Sequence, residues 1–177
     1  MIESERLVLR PPTDADREAL FHLNADPRVG EWLSGPMTRE QADALVDRVL
    51  ASIAEHGFSL WAVERKADGA VIGMAGLIAM GDDLPPGPAL EVGWRFSPAA
   101  WGQGYATEAA KAAIAWGFAH RPEAPEIVAI TARTNLASQA VMRRIGMVPE
   151  PWRVFDHPRV PDDSPLKAHV TYSMKRR

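Results

Sequence analysis

Three groups of residues in this sequence have the types and spacing for chemistry: the loop Trp101-Gly102-Gln103-Gly104-Tyr105-Ala106-Thr107, the acid Glu91, and the pair Asn135 and Ser138. The loop brings two glycines to the start of an alanine-rich run, and glycine lets a backbone turn sharply and approach a ligand closely. The first amides of a helix have no partner within it and lie at the positive end of its dipole. A phosphate set against them is stabilised without lysine or metal. The loop is therefore a candidate phosphate cradle, with a tight connection holding no ligand as the alternative. No Gly-Lys-Ser/Thr is present, which argues against a nucleoside-triphosphate loop, and Thr107 stands where the dinucleotide fingerprint has its third glycine. Glu91 lies on the run that enters the loop, where it could accept a proton directly or through water. Its alternative is a structural carboxylate, either solvated or paired with Arg95, four residues on and nominally on the same strand face. Asn135 is placed to cap a helix, with Ser138 in the first turn.

The elements that must position these groups follow from periodicity. Leu90, Val92, Trp94 and Phe96 alternate with Glu91, Gly93, Arg95 and Ser97, the period of a strand, and Pro98 stops the ladder. An alanine-rich helix then runs to His120-Arg121-Pro122. Upstream, 6–10 alternates as a first strand, Thr13 and Asp16 have capping-box spacing for a short helix ending near Asp26-Pro27, and Thr38 and Gln41 form a second box for a helix closed by His56-Gly57. Residues 58–65 and 71–79 read as a hairpin turning at Asp68-Gly69, with Gly73 and Gly76 marking a bulge or close backbone approach, and 81–88 as an exposed loop. A strand over 127–133, a helix over 136–145 ended by Gly146, and two strands near 152–156 and 166–174 complete the chain. The order predicts an α+β domain with a mixed, mostly antiparallel sheet of seven strands and about four helices.

Bulk properties narrow the function. The 177 residues, 46% of them hydrophobic, fit one domain over 1–177, and a net charge of −3 gives no global attraction to nucleic acid or an anionic membrane, so neither is an expected partner. With no cysteine, thiolate catalysis and cysteine metal sites are excluded, and the five histidines show no pair at ligand spacing, so no metal is expected. The chain has neither a signal-like apolar start nor an 18-residue apolar run, and the expected location is the cytoplasm. Oligomeric state is open, a homodimer included.

The run from Trp101 to Ala106 resembles the pyrophosphate motif of the GCN5-related N-acetyltransferase (GNAT) family, with Trp101 where that motif has Arg or Gln and Gly104-Tyr105-Ala106 at its last three positions. The longer run Trp101 to Ala109, Trp-Gly-Gln-Gly-Tyr-Ala-Thr-Glu-Ala, is similar to the branch that contains the ribosomal-protein N-terminal acetyltransferases. The start Glu5-Arg6-Leu7-Val8-Leu9-Arg10-Pro11 and Asn135-x-x-Ser138 resemble the branch of the ribosomal-protein N-terminal (Rim-type) acetyltransferases. The resemblance implies a GNAT fold whose fourth strand (90–97) and fifth strand (127–133) splay to admit pantetheine, acetyl-CoA as the donor cosubstrate, and direct transfer to an amine acceptor in a ternary complex. It implies cofactor contacts at Phe96, Ser97, Trp101, Gly102, Gln103, Gly104, Tyr105, Ala106, Thr107 and Asn135. It makes Glu91 the candidate base and Ser138 the candidate acid for the departing thiolate, with strand-four amides between Val92 and Phe96 facing the oxyanion. Met142 stands where other branches carry a tyrosine acid. By helical spacing, the Tyr105, Ala109, Ala113 and Trp116 side chains read as core. Arg143 and Arg144 fit the helix dipole as well as they fit a cofactor phosphate. The acceptor would be selected by loops around 26–38, with Trp32 and Leu33, around 80–88 and around 156–165. Two further readings stand beside this one: a catalytically silent CoA-binding module, and a phosphosugar or nucleotide enzyme using the same cradle.

Overall fold

In the computed structural model, which describes residues 1–176, the chain runs β1 (Ile2–Glu3), β2 (Leu7–Arg10), α1 (Arg17–Ala25), α2 (Pro27–Gly30), α3 (Arg39–His56), β3 (Leu60–Arg65), β4 (Ala70–Met80), β5 (Ala89–Phe96), α4 (Tyr105–His120), β6 (Glu126–Ala132), α5 (Leu136–Arg144), β7 (Val148–Pro149), β8 (Phe155–Asp156) and β9 (Ala168–Lys175). The strands form one sheet of order β1-β2-β3-β4-β5-β6-β9-β7, with β8 also on β9. Every pairing is antiparallel except β5 with β6. The expected α+β architecture with a mixed, mostly antiparallel sheet is present, with two differences in count.

Among the described residues the sheet has nine strands rather than seven, because β1 and β7 are two-residue edge pairings too short for any period to show. The strand expected over 152–156 is a correction. Residues Pro151–Arg153 form a 3-10 turn and only Phe155–Asp156 pairs with β9. Pro149 and Pro151 lack amide hydrogens on either side of Glu150, which leaves little ladder to build. Among the described residues there are five α-helices rather than about four. Asp26 accepts a hydrogen bond from the Arg28 amide at 2.9 Å and Pro27 fills the first helical position, so the residues read as a stop also start α2.

Both capping boxes form: Thr13 with Asp16 opens a 3-10 turn that runs into α1, and Thr38 with Gln41 opens α3. Gly57 closes α3 in the left-handed region, φ 82°. The β3–β4 register shifts between Val63 and Glu64, beside Gly73. A Cβ on Gly76 would lie 2.0 Å from the Ser59 carbonyl oxygen, so close backbone approach requires glycine there.

The two faces of the sheet carry separate cores. Leu90, Val92 and Phe96 of β5 pack with Ala109, Ala113 and Ile114 of α4. On the opposite face Leu60 and Met74 pack under Leu20 and Leu23 of α1 and Val46 and Val49 of α3, with Ile78 against them. In β5, Glu91 lies opposite Ile78 and Arg95 opposite Met74, so Glu91, Gly93 and Arg95 share the face covered by α1 and α3. Among the described residues no helix is long and apolar enough to cross a membrane.

Candidate active site

The β5–β6 ladder has only two pairs, Leu90 with Ile127 and Glu91 with Val128. Beyond Glu91 the two strands run on to Phe96 and Ala132 without pairing to each other. The expected splay between the fourth and fifth long strands is present. The β6-facing backbone of Val92, Gly93, Trp94, Arg95 and Phe96 therefore has no ladder partner, and buried or ligand-facing peptide groups need partners. Because β5 and β6 are parallel, α4 and α5 both begin at the open end of this split. That is what brings the loop 101–107 and the pair Asn135 and Ser138 to the same end of the sheet.

Ser97 and Pro98 lead out of β5 through a 3-10 turn, Pro98–Ala100, and the loop then turns on two left-handed glycines, Gly102 with φ 74° and Gly104 with φ 82°. Gly104 is the N-cap of α4 and makes no side-chain cap, so the amides of Tyr105, Ala106 and Thr107 open the helix. A Cβ at Gly102 would meet nothing within 4 Å; its left-handed backbone, not crowding, requires glycine. The loop is braced by its own side chains. Trp101 Nε1 donates to the Phe96 carbonyl at 2.8 Å, and Gln103 Nε2 donates to the Ala99 carbonyl at 2.8 Å. Trp101, where the family motif has Arg or Gln, thus holds the turn shut at its base. The Tyr105 ring is buried in the α4-side core, so the main chain is what Tyr105 offers the loop. Ala106 and Thr107 are half-buried in the first turn.

Arg6 and Glu108 were not singled out from the sequence for this site. The Arg6 Nε donates to Glu108 Oε2 at 2.7 Å and Nη1 donates to the Gln103 carbonyl at 3.0 Å, while the guanidinium lies 4.5 Å from the Tyr105 ring centroid. The Ser4 hydroxyl and the Arg6 amide both donate to Glu108 Oε1 at 2.7 Å. Burial pushes the Glu108 carboxyl up, but these donors outweigh it and hold it below the usual range.

Glu91 has no hydrogen-bond or ion-pair partner among the described residues. Burial with no compensating donor pushes its carboxyl up to about 7. The ion pair with Arg95 raised as its alternative is not formed. Arg95 Nη1 instead donates to Asn24 Oδ1 at 2.5 Å, reaching under the end of α1, and burial lowers its guanidinium to about 10. Asn24, itself buried, was not read from sequence as a site neighbour.

At the start of α5, Asn135 Oδ1 accepts the Ser138 amide at 3.1 Å, the expected cap, and Asn135 is buried while Ser138 is half-buried. Met142 is buried in the core. Arg143 Nη1 donates to the Tyr172 hydroxyl at 2.7 Å, across to β9. Between the loops that follow α2 and β8, a cleft of about 270 Å³ is lined by Leu33, Ser34, Val160, Pro161, Ser164 and Leu166, and Arg159 pairs with Asp83. The loops around 26–38, 80–88 and 156–165 thus meet. A second cleft, about 350 Å³, lies between α1 and the turn after β5, with His22, Asp26, Arg28, Ser97 and Pro98 in its walls. Neither of these two clefts is lined by Glu91, Gly104 or Asn135.

Comparison with known proteins bears on this geometry. A model of the acetyltransferase (GNAT) domain matches residues 6–148. The Bacillus subtilis protein YkkB is 32% identical over 145 residues, 81% of this chain and 83% of its own. The Bacillus subtilis N-acetyltransferase YoaA is 27% identical over 152 residues, 85% of this chain and 84% of its own. Among solved structures, a GNAT-family acetyltransferase from Bacillus anthracis superposes with a TM-score of 0.81 at 25% identity, covering 98% of this chain and 97% of that one.

Proposed function

The chain belongs to the GNAT acetyltransferase family and is an acetyltransferase enzyme, and from that premise we propose that it transfers the acetyl group of acetyl-CoA directly to a primary amine, either a protein N-terminal amine or a small-molecule amine. Within the family we read it as nearest the Rim-type branch, on Glu5 to Pro11, Trp101 to Ala109 and Asn135-x-x-Ser138.

The observation that carries this reading is the split that opens after Glu91 and ends at the glycine loop. A phosphate on the amides of Tyr105, Ala106 and Thr107 and a proton acceptor at Glu91 are separated by the length of β5. Five residues at about 3.3 Å each make this about 17 Å. A ligand that uses both ends is long, anionic at one end and reactive at the other, and needs partners for the unpaired edge of Val92 to Phe96 along its length. Acetyl-CoA has that form and supplies the activated acyl group.

The chain's own residues then have separable tasks. The loop and the positive end of α4 hold the diphosphate, with Phe96 and Ser97 at the foot of the loop. Asn135, its Oδ1 committed to the cap, has its amide nitrogen for the pantetheine arm. Amides between Val92 and Phe96 face the acyl oxygen and stabilise charge developing there. Glu91, titrating near 7, takes a proton from the incoming amine directly or through water. Ser138, half-buried in the first turn of α5, is read as the donor of a proton to the departing thiolate, with its own proton restored from water, which requires the sulfur to lie between Glu91 and the start of α5. Glu91 is half-buried on the sheet face covered by α1 and α3.

Release of free thiol from acetyl-CoA in the presence of a panel of amines, small molecules and peptides with free N-termini, tests the proposal. Turnover with at least one class supports it. Tight CoA binding with no turnover on any amine would leave a binding module instead.

A further inference from the structure

We infer that Arg6 is a working part of the phosphate site: it presents Nη2 to the diphosphate and cancels the carboxylate that the first turn of α4 carries at Glu108. The inference rests on the reading of the loop 101–107 as a phosphate cradle, and assigns a side chain where that reading uses only peptide nitrogens.

Glu108 lies in the first turn of α4. A carboxylate there suits the helix dipole but repels any phosphate bound at the same end, since like charges within a few ångströms oppose one another. The fold answers this with one cation. Arg6 spends Nε on Glu108 and Nη1 on the Gln103 carbonyl, and its plane is held over the Tyr105 ring, so three loop and helix residues fix its orientation. Nη2 remains. It lies 3.5 Å from where a Cβ on Gly104, the N-cap residue, would be, and the side chain is 43% exposed on this side of the helix start. A phosphate oxygen on the first amides of α4 would come within reach of that donor, and guanidinium is the group best shaped to bridge a carboxylate and a phosphate. The competing role is purely mechanical, Arg6 and Ser4 pinning the first strands to α4 through Glu108.

Calorimetric titration separates the two, with CoA and with pantetheine, which has the arm and thiol but no phosphate. Arg6→Ala is expected to weaken CoA roughly ten- to a hundredfold, the range of a hydrogen bond to a charged group. The loss should shrink as salt rises, and pantetheine affinity should stay within twofold. Adding Glu108→Gln should recover part of the CoA affinity, because the repelling charge goes too. Arg6→Lys, which keeps the charge and cannot make the fork, covers the case in which the alanine variant does not fold, and should fall between wild type and alanine. CoA affinity unchanged in Arg6→Ala, or an equal loss for CoA and pantetheine, would overturn the assignment while leaving the cradle. Failure of the wild-type protein to bind CoA at all would remove both.

Discussion

Replacing Glu91 by glutamine should stabilise the protein in a way that depends on pH. The native carboxyl is held protonated up to about 7, against an ordinary value of 4.5, because burial is not offset by any donor. Below pH 4.5 both native and unfolded carboxyls are protonated and the residue contributes nothing to the pH dependence. Between 4.5 and about 7 the unfolded carboxyl ionises while the native one does not, so unfolding releases a proton and stability falls as pH rises. Above 7 the loss is complete. At about 1.36 kcal/mol per pH unit the interval amounts to roughly 3 kcal/mol, an upper figure because Glu91 is only half-buried. Glutamine has the protonated acid's shape and no charge. Thermal unfolding of wild type and Glu91→Gln at pH 5, 6, 7 and 8 should give nearly equal midpoints at pH 5 and a gap that opens to roughly 6–12 °C at pH 8, at 2–4 °C per kcal/mol for a chain of this size. Parallel midpoints across the whole range would refute the argument and mean that the carboxyl is solvated.

Other outcomes follow from the same geometry. If Glu91 is the base, the wild-type rate with a saturating amine should rise with pH through about 7 as the carboxyl loses its proton, and Glu91→Gln should lose that limb; an unchanged profile in the variant assigns the proton transfer elsewhere. Asn135→Ala should cost about 1 kcal/mol from the lost cap, whereas Asn135→Asp should keep the midpoint and still weaken CoA binding, since it replaces the amide donor with an acceptor. CoA affinity equal to wild type in both variants would confine Asn135 to capping. Ser138→Ala should lower kcat by about a hundredfold with CoA affinity unchanged, the size of a lost proton donor. A rate within twofold of wild type would remove the hydroxyl from the reaction.

What could be read from the chain alone was whatever is local. Thr38 and Gln41 satisfy each other within one turn, Gly57 and Gly146 close helices by a backbone region that few other residues enter, and Gly102 and Gly104 announce the loop in the same way. The split between β5 and β6 has no such local mark, because a missing ladder changes no residue pattern; it was legible only through the likeness of the loop and of Asn135-x-x-Ser138 to a family. Pairings between distant residues were out of reach. Arg6 and Glu108 are 102 positions apart, and Arg95 met Asn24, 71 positions away, rather than the acid on its own strand. The Glu91–Arg95 pairing failed because four strand residues at about 3.3 Å each set the two positions about 13 Å apart, while Asn24 on the helix above lies within reach of the guanidinium. Trp152 and Arg153 fall in the strand expected over 152–156, yet Pro151 opens a 3-10 turn in which the Arg153 amide donates to the Glu150 carbonyl at 2.9 Å instead of joining a ladder.

The central claim is that a diphosphate sits on the peptide nitrogens at the start of α4, and titration of CoA into wild type and Gly104→Glu tests it most directly. Gly104 has φ 82° and stands at the N-cap, so glutamate there brings both backbone strain and a negative charge to the anion site. Gly104→Ala carries the strain without the charge and is the control. One-to-one binding in wild type, weakened in the alanine variant and absent in the glutamate variant with both still folded, is the expected result. Equal CoA affinity in wild type and Gly104→Glu would contradict it.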